Sequence, residues 1–288
     1  MMESRLKWPN NARVAFVLGI ALEAWDRTKP TQGAALQSPL PKDALYKWDW
    51  STETFRDFGP KIGMKRLLEI CDKYNLKVSI PLNGLTCVYY PELVKDCHER
   101  GHELVAHGWE MGERLYMLTR EQERDNILKT IDAIVKVTGE RPTGWSSPGV
   151  RPTDNTVELL IETGLAYHCD FHDDEMPYSI WLGDKLLIEF PHQYTINDHR
   201  TQEEGTRHEF FEKFKDEFDY RYKIGADNPT MMNVITHAYL SSRIPLIDTF
   251  EQIIAYATSH KDVWLARRGD VAAWARKQIL ENKWTIVT

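Results

Sequence analysis

Short apolar runs alternate with helically spaced segments about seven or eight times along this chain, and run after run ends on a polar or ionisable side chain. Continuous apolar runs read as strands buried on both faces. Their alternation with helical segments reads as repeated strand–helix units in a parallel sheet, closed or nearly closed into a barrel. Residues 13–22 end at Glu23, 77–82 at Asn83 and 104–106 at His107. The segment 143–149 presents Trp145, Ser146 and Ser147, and 166–171 runs into Asp170, His172, Asp173 and Asp174. Residues 186–190 precede Pro191-His192, 231–236 end on His237, and 263–266 make a final short strand. Ligands of such sheets sit at the C-terminal edge of the strands. Recurrence of Glu23, Asn83, His107, Ser146, Asp170, His192 and His237 at that edge predicts one shared pocket. An open doubly wound sheet is the alternative, but no strand is followed by G-x-G-x-x-G.

The helical segments carry their own punctuation. Residues 61–74 show helical spacing; 91–100 open near Pro91 and stop at Gly101. Thr119 and Gln122 spell a capping box before the stripe Ile127, Ile131, Ile134 and Val135. A helix through Ile161 ends at Gly164, and residues 209–222, 246–258 and 270–280 follow. Residues 27–57 lack clear periodicity and read as a long loop whose Trp48, Trp50 and Phe55 pack over the strand ends as a lid.

The formal net charge is -7, and no basic run occurs. That disfavours nucleic acid or an anionic membrane as partner and leaves a small-molecule substrate. The opening MMESRLKWPNNARVAF lacks the apolar core of a signal peptide, and no apolar stretch is long enough to span a bilayer. Cys71, Cys87, Cys97 and Cys169 form no CxxC pair, so the expectation is reduced thiols in a cytoplasmic protein.

Glu23, His107 and His237 are the candidates for chemistry. Neutral imidazole ligates zinc or shuttles protons near neutral pH, and a carboxylate orients it or completes a metal shell. Two plainer readings stand beside this one: a strand-end histidine is often structural, and Glu23 can turn into solvent. Glu110 lies three residues after His107, within reach of a shared metal if the backbone turns helically. Asp170, Asp173 and Asp174 read as a metal cluster or a solvated turn, the turn being preferred for Asp174. Ser146-Ser147 lies in no G-x-S-x-G elbow, and nothing marks Cys87 as a nucleophile. His98, His102, His208 and His260 fall on helix or turn surfaces without a role.

The segments GHELVAHGWEM, LTREQERDNILKTIDAIVKVTGERPTGW, AYHCDFHDDEMPY, NVITHAY and VWLARRGDVAAW occur in this order over most of the chain. In that order they resemble the polysaccharide deacetylase (NodB-homology) family, and most of all its allantoinase-like branch. The resemblance implies a distorted (β/α)7 barrel of NodB type, TIM-barrel-like, with residues 1–288 as a single catalytic domain. It places the family's Asp base at Ala21 or Leu22 and a metal ligand at Glu23. His107 matches the first histidine of H-x-x-x-H, Met111 replaces the second, and Trp145 stands where many deacetylases carry an arginine. His237 matches the late general acid. The implied metal set is Glu23, His107 and Glu110, holding one divalent ion such as zinc, or none. Trp25, Trp109 and Trp145 suit a flat small ring, and Asn83, Asp170, His192 and Asn197 complete the substrate-binding set. The implied activity is hydrolysis of a carbon–nitrogen bond in a small cyclic amide, by a homo-oligomer, tetrameric by resemblance. The alternatives are metal-dependent N-deacetylation of a carbohydrate or peptidoglycan-type substrate, and a non-catalytic binding protein of the same fold.

Overall fold

Residue parity along the first strand, β1 (Val14–Ala21), organises the architecture. In the computed structural model, which describes residues 6–33, 38–199 and 206–282, Phe16, Leu18 and Ile20 pack into one core cluster while Ala15 and Val17 belong to another. Side chains alternate across a strand, so the two sets face opposite sides of the sheet. The first set meets the helices; the second faces the barrel interior.

The parallel strands run in the order β7 (Lys185–Glu189), β5 (Tyr167–His168), β4 (Gly144–Trp145), β3 (Glu103–Ala106), β2 (Ser79–Leu82), β1, β8 (Thr230–His237). β6 (Tyr178–Leu182) lies antiparallel on β7 at one end. β9 (Val263–Ala266) pairs with the first half of β1, whose second half pairs with β2 near Gly19 and Ser79. β1 and β8 stay in register from Val14 opposite Thr230 to Ala21 opposite His237. On the other side of β8, Asn197 makes a parallel bridge to Ile235. The sheet therefore curls into the distorted barrel expected, with the chain after β7 standing where a further strand would close it.

The outer layer is built from α2 (Met64–Lys73), α4 (Pro91–Glu99), α5 (Arg120–Thr138), α6 (Thr156–Glu162), α7 (Arg207–Ile224) and α8 (Ile244–Ser259), each contributing to the core on the outer face of the sheet. The last helix, α9 (Arg268–Asn282), fills the interior from below with Val271, Ala272, Ala275 and Ile279. The expected capping box forms: Thr119 Oγ1 accepts from Gln122 N, and Gln122 returns the bond to Thr119 N. Gly139, at φ 74°, ends α5 in the left-handed conformation that glycine adopts without strain. Thr119→Ala is expected to cost about 1 kcal/mol, seen as a lower urea midpoint at unchanged slope.

Two expectations are corrected. The segment 27–57 is not loop to its end, because α1 (Trp50–Phe58) starts there. Asp49 caps it, accepting from Ser51 N and Thr52 N, and Thr52, Phe55 and Arg56 form its buried face. A short α3 (Gly84–Tyr89) and the strand β6 also went unforeseen; both are too brief for periodicity to mark.

Candidate active site

The inward row of β1 continues past its end: after Ala21, the same parity brings Glu23 inward, and the residue is only 7% exposed. The β1–β8 register sets His237 beside it, and His107 ends the inward row of β3. Glu23 Oε1 lies 3.7 Å from His107 Nε2 and 3.8 Å from His237 Nε2. The structure thus brings together three side chains that are far apart in sequence. They open into a cavity of about 700 Å³ at the C-terminal end of the strands, walled by Trp25, Met111, Ser146, Tyr194 and Tyr239.

Each imidazole is oriented from behind. Ser146 O lies 2.7 Å from His107 Nδ1. A carbonyl only accepts, so Nδ1 carries a proton, and Nε2 faces Glu23. Gly108 permits the sharp turn that follows: its φ is +69°, and a Cβ there would meet Pro148 Cγ at 2.5 Å. His237 Nδ1 lies 2.6 Å from Asp198 Oδ1. The Asp198 carboxylate, fully buried, also accepts from His237 N and Ser241 Oγ, each at 2.7 Å. His199 Nε2 meets Tyr239 Oη at 2.7 Å, with its ring centroid 4.2 Å from that of His237.

The charges follow from this packing. Burial alone would raise the Glu23 carboxyl; contact with His107 and the charges of His237, His107 and His199 outweigh it and hold the pKa at about 2. Burial works against charge on His237 too, yet Asp198 first and Glu23 after it raise its pKa above the ordinary imidazole value. The site therefore holds a fixed carboxylate between two imidazoles, of which His237 is biased toward its protonated form. Divergent environments of this kind separate acid from base.

Trp25, His192 and Asn197 line the cavity. Asn83 does not: fully buried, it accepts from Ala24 N and donates to His107 O, tying two strand ends together. Parity corrects two more assignments. Trp145 belongs to the core on the outer face, and only its neighbour Ser146 reaches the cavity. Asp170 likewise sits outside, accepting from Ser147 N and Ser147 Oγ at 2.7 Å and lying 3.7 Å from His168 Nδ1. Trp109, carried away by the turn at Gly108, leans toward Gly84 under the Lys129 ammonium, 3.5 Å from its ring centroid. His199, Tyr239, Arg56, Arg114 and Arg268 have no forerunner in the sequence reading, and Asp198 stands in it only as the neighbour of Asn197 in a polar stretch like that of the allantoinase-like branch. Tyr239 shares parity with His237, and the polar pair Asn197-Asp198 was the only local sign of the others.

The metal set implied by the resemblance is also corrected. Glu110 is buried away from the cavity, 3.1 Å from Lys29 Nζ and accepting from Gly112 N. Met111 fills the cavity wall in place of a second imidazole. Among the described residues no group of three or more His, Cys, Asp or Glu side chains is arranged to hold a metal ion. Zinc takes three or four protein donors at about 2.0–2.3 Å, and Glu23 with His107 supplies two.

Residues 53–168 match the family described as polysaccharide deacetylase. A peptidoglycan deacetylase of Helicobacter pylori is 26% identical over 240 residues, which cover 72% of this chain and 81% of that protein. A probable polysaccharide deacetylase of Pseudomonas aeruginosa superposes with TM-score 0.86 at 28% identity, over 94% of this chain and 93% of its own. The structure of Puue allantoinase does so with the same TM-score, 0.86, and the same identity, 28%, over 96% and 94%.

Proposed function

Since the chain belongs to the polysaccharide deacetylase family, hydrolases of carbon–nitrogen bonds other than peptide bonds, we propose that it opens a small cyclic amide by acid–base hydrolysis. One observation carries this reading: Glu23, His107 and the His237–Asp198 pair form a complete acid–base set, while among the described residues no group of three or more His, Cys, Asp or Glu is placed to hold a metal. The likeness to Puue allantoinase over nearly the full chain supports it further.

His107 Nε2 takes a proton from water, which adds to the amide carbon. A carboxylate with a pKa of about 2 is too weak a base for that step at neutral pH. Glu23 instead stabilises the imidazolium as it forms and holds the water between the two rings. His237 Nε2 gives its proton to the departing nitrogen as the carbon–nitrogen bond breaks, and Asp198 balances its charge. The two histidines then exchange roles to reset, and the product is a carboxylic acid with a freed amine. Trp25 and Tyr239, packed edge to face with ring centroids 6.0 Å apart, give the cavity an aromatic wall.

The test is a panel of five- and six-membered cyclic amides and ureides set against N-acetylated amino-sugar oligomers. Ring opening, seen by mass spectrometry as addition of one water, is the expected result in metal-free buffer. N-deacetylation is the second reading, supported by the Helicobacter pylori relative. Acetate release from the oligomers, with no ring opened, would put it first. Four buried free thiols among the described residues also support a cytoplasmic enzyme. No helix among those residues is long and apolar enough to cross a membrane.

A further inference from the structure

The floor of the cavity holds a guanidinium that has no hydrogen-bonding or ionic partner among the described residues. Arg268 is 2% exposed, yet its side chain reaches the cavity that His237 and His192 line. Its Nε is buried without a hydrogen bond, and among the described residues its guanidinium forms neither a hydrogen bond nor an ion pair. The contact it does make is with the Phe190 ring, 5.9 Å away. The nearby acids are engaged elsewhere. Glu103 accepts from Tyr167 Oη, Ser79 Oγ and Gly269 N; Glu189 and Asp170 flank His168. An unpaired buried charge is among the costliest features a core can retain.

The rest of the chain makes room for it. Gly19 sits in the interior row of β1, where a Cβ would lie 2.7 Å from Arg268 Nη2. Glycine inside a buried strand weakens the strand and signals close approach by something else. Beside the guanidinium, His192 is 6% exposed and has no hydrogen bond at either ring nitrogen. Burial first, and the Arg268 charge second, push its pKa down to about 3, so it stands as a neutral imidazole.

We propose that Arg268, with His192 beside it, is the binding site for a carboxylate on the substrate, so that the amide opened here is a small acid. This rests on the reading of the cavity as a substrate pocket. A carboxylate accepts two parallel N–H bonds from one guanidinium and neutralises a charge that the fold leaves bare. Arg268 thereby selects acids among small amides; the acid–base groups above it act on any ring that fits.

Succinate and succinamide, alike in shape and different in charge, separate the outcomes. Titration followed by tryptophan fluorescence should show succinate binding at least about tenfold tighter, the scale of a charge-assisted pair. Arg268→Met should abolish that preference, Arg268→Lys should keep part of it, and Arg120→Met, on the outer surface and paired with Glu162, should keep it. Because Met removes an uncompensated charge, Arg268→Met should also raise Tm by about 2–4 °C, so lost binding cannot be laid to misfolding. Equal affinity for the diamide, preference surviving in Arg268→Met, or a lowered Tm in that variant would each overturn the assignment. Succinate preference without any ring opening would sink the hydrolase reading and leave this one intact; ring opening without preference would do the reverse.

Discussion

His237→Ala is expected to lower kcat by about 10²- to 10⁴-fold, the span of one general acid, with KM changed little. Its Nε2 points to the cavity beside Glu23 while Nδ1 is held by Asp198, so the variant loses proton delivery and keeps the walls of the pocket. The pH profile carries the finer test. His237 must be protonated to act, and its pKa is raised, against burial, mainly by Asp198. Activity should therefore fall on the alkaline side, at a pH above the roughly 6.5 of an ordinary imidazole. Asp198→Asn removes the charge that raises it, and that limb should move to lower pH. Glu23, held at about 2, should contribute no limb in the working range. A profile of kcat/KM in which Asp198→Asn leaves the alkaline limb in place would remove His237 from the mechanism.

His168→Leu is expected to cost about 3–5 kcal/mol, because it strips the cation from two buried acids. His168 and Glu189 are both fully buried, with Nε2 2.5 Å from Oε2, and Asp170 lies 3.7 Å from Nδ1. The loss is a large part of the 5–15 kcal/mol that ordinarily holds a fold. Burial favours neutral His168, yet Asp170 and Glu189 together raise its pKa to about 9. Burial also raises Glu189, to about 7; for His168 itself, a folded pKa above the unfolded one means a contribution to stability that is present below about 6.5 and lost as pH climbs through about 9. Denaturant midpoints at about pH 7 and about pH 10 should show the gap between wild type and variant narrowing. The double variant His168→Leu, Glu189→Leu should recover part of the loss, since it removes one of the two acids left without a cation while Asp170 keeps its bonds from Ser147. A single variant within about 1 kcal/mol of wild type would mean that this pair is not ionised in the fold.

Much of this architecture was legible in the chain. The apolar runs located β1, β3, β7 and β8, because strands buried on both faces have to be apolar throughout. The stripe Ile127, Ile131 and Ile134 and the Thr119–Gln122 box marked α5, since both are local matters of periodicity and hydrogen bonding. Where the reading slipped, the reason is also physical. In a strand buried on both sides, both parities look alike, so nothing in GWSS or HCDF tells which residue enters the barrel. Asp170 and Trp145 were assigned inward on their chemistry, and the pleat turned both of them out.

By itself, then, the sequence determined the kinds and order of elements and the positions where polar groups end buried strands, because those follow from local periodicity and from the cost of burying unpaired polar atoms. The tertiary structure alone decided which of those groups meet. The β1–β8 register set His237 against Glu23, Asp198 arrived behind it from a segment with no strand signal, and Arg268 came up from below into the space left by Gly19. Such meetings depend on strand register and on the hand of a curled sheet, which are properties of the whole packed chain and leave no mark on any stretch of it.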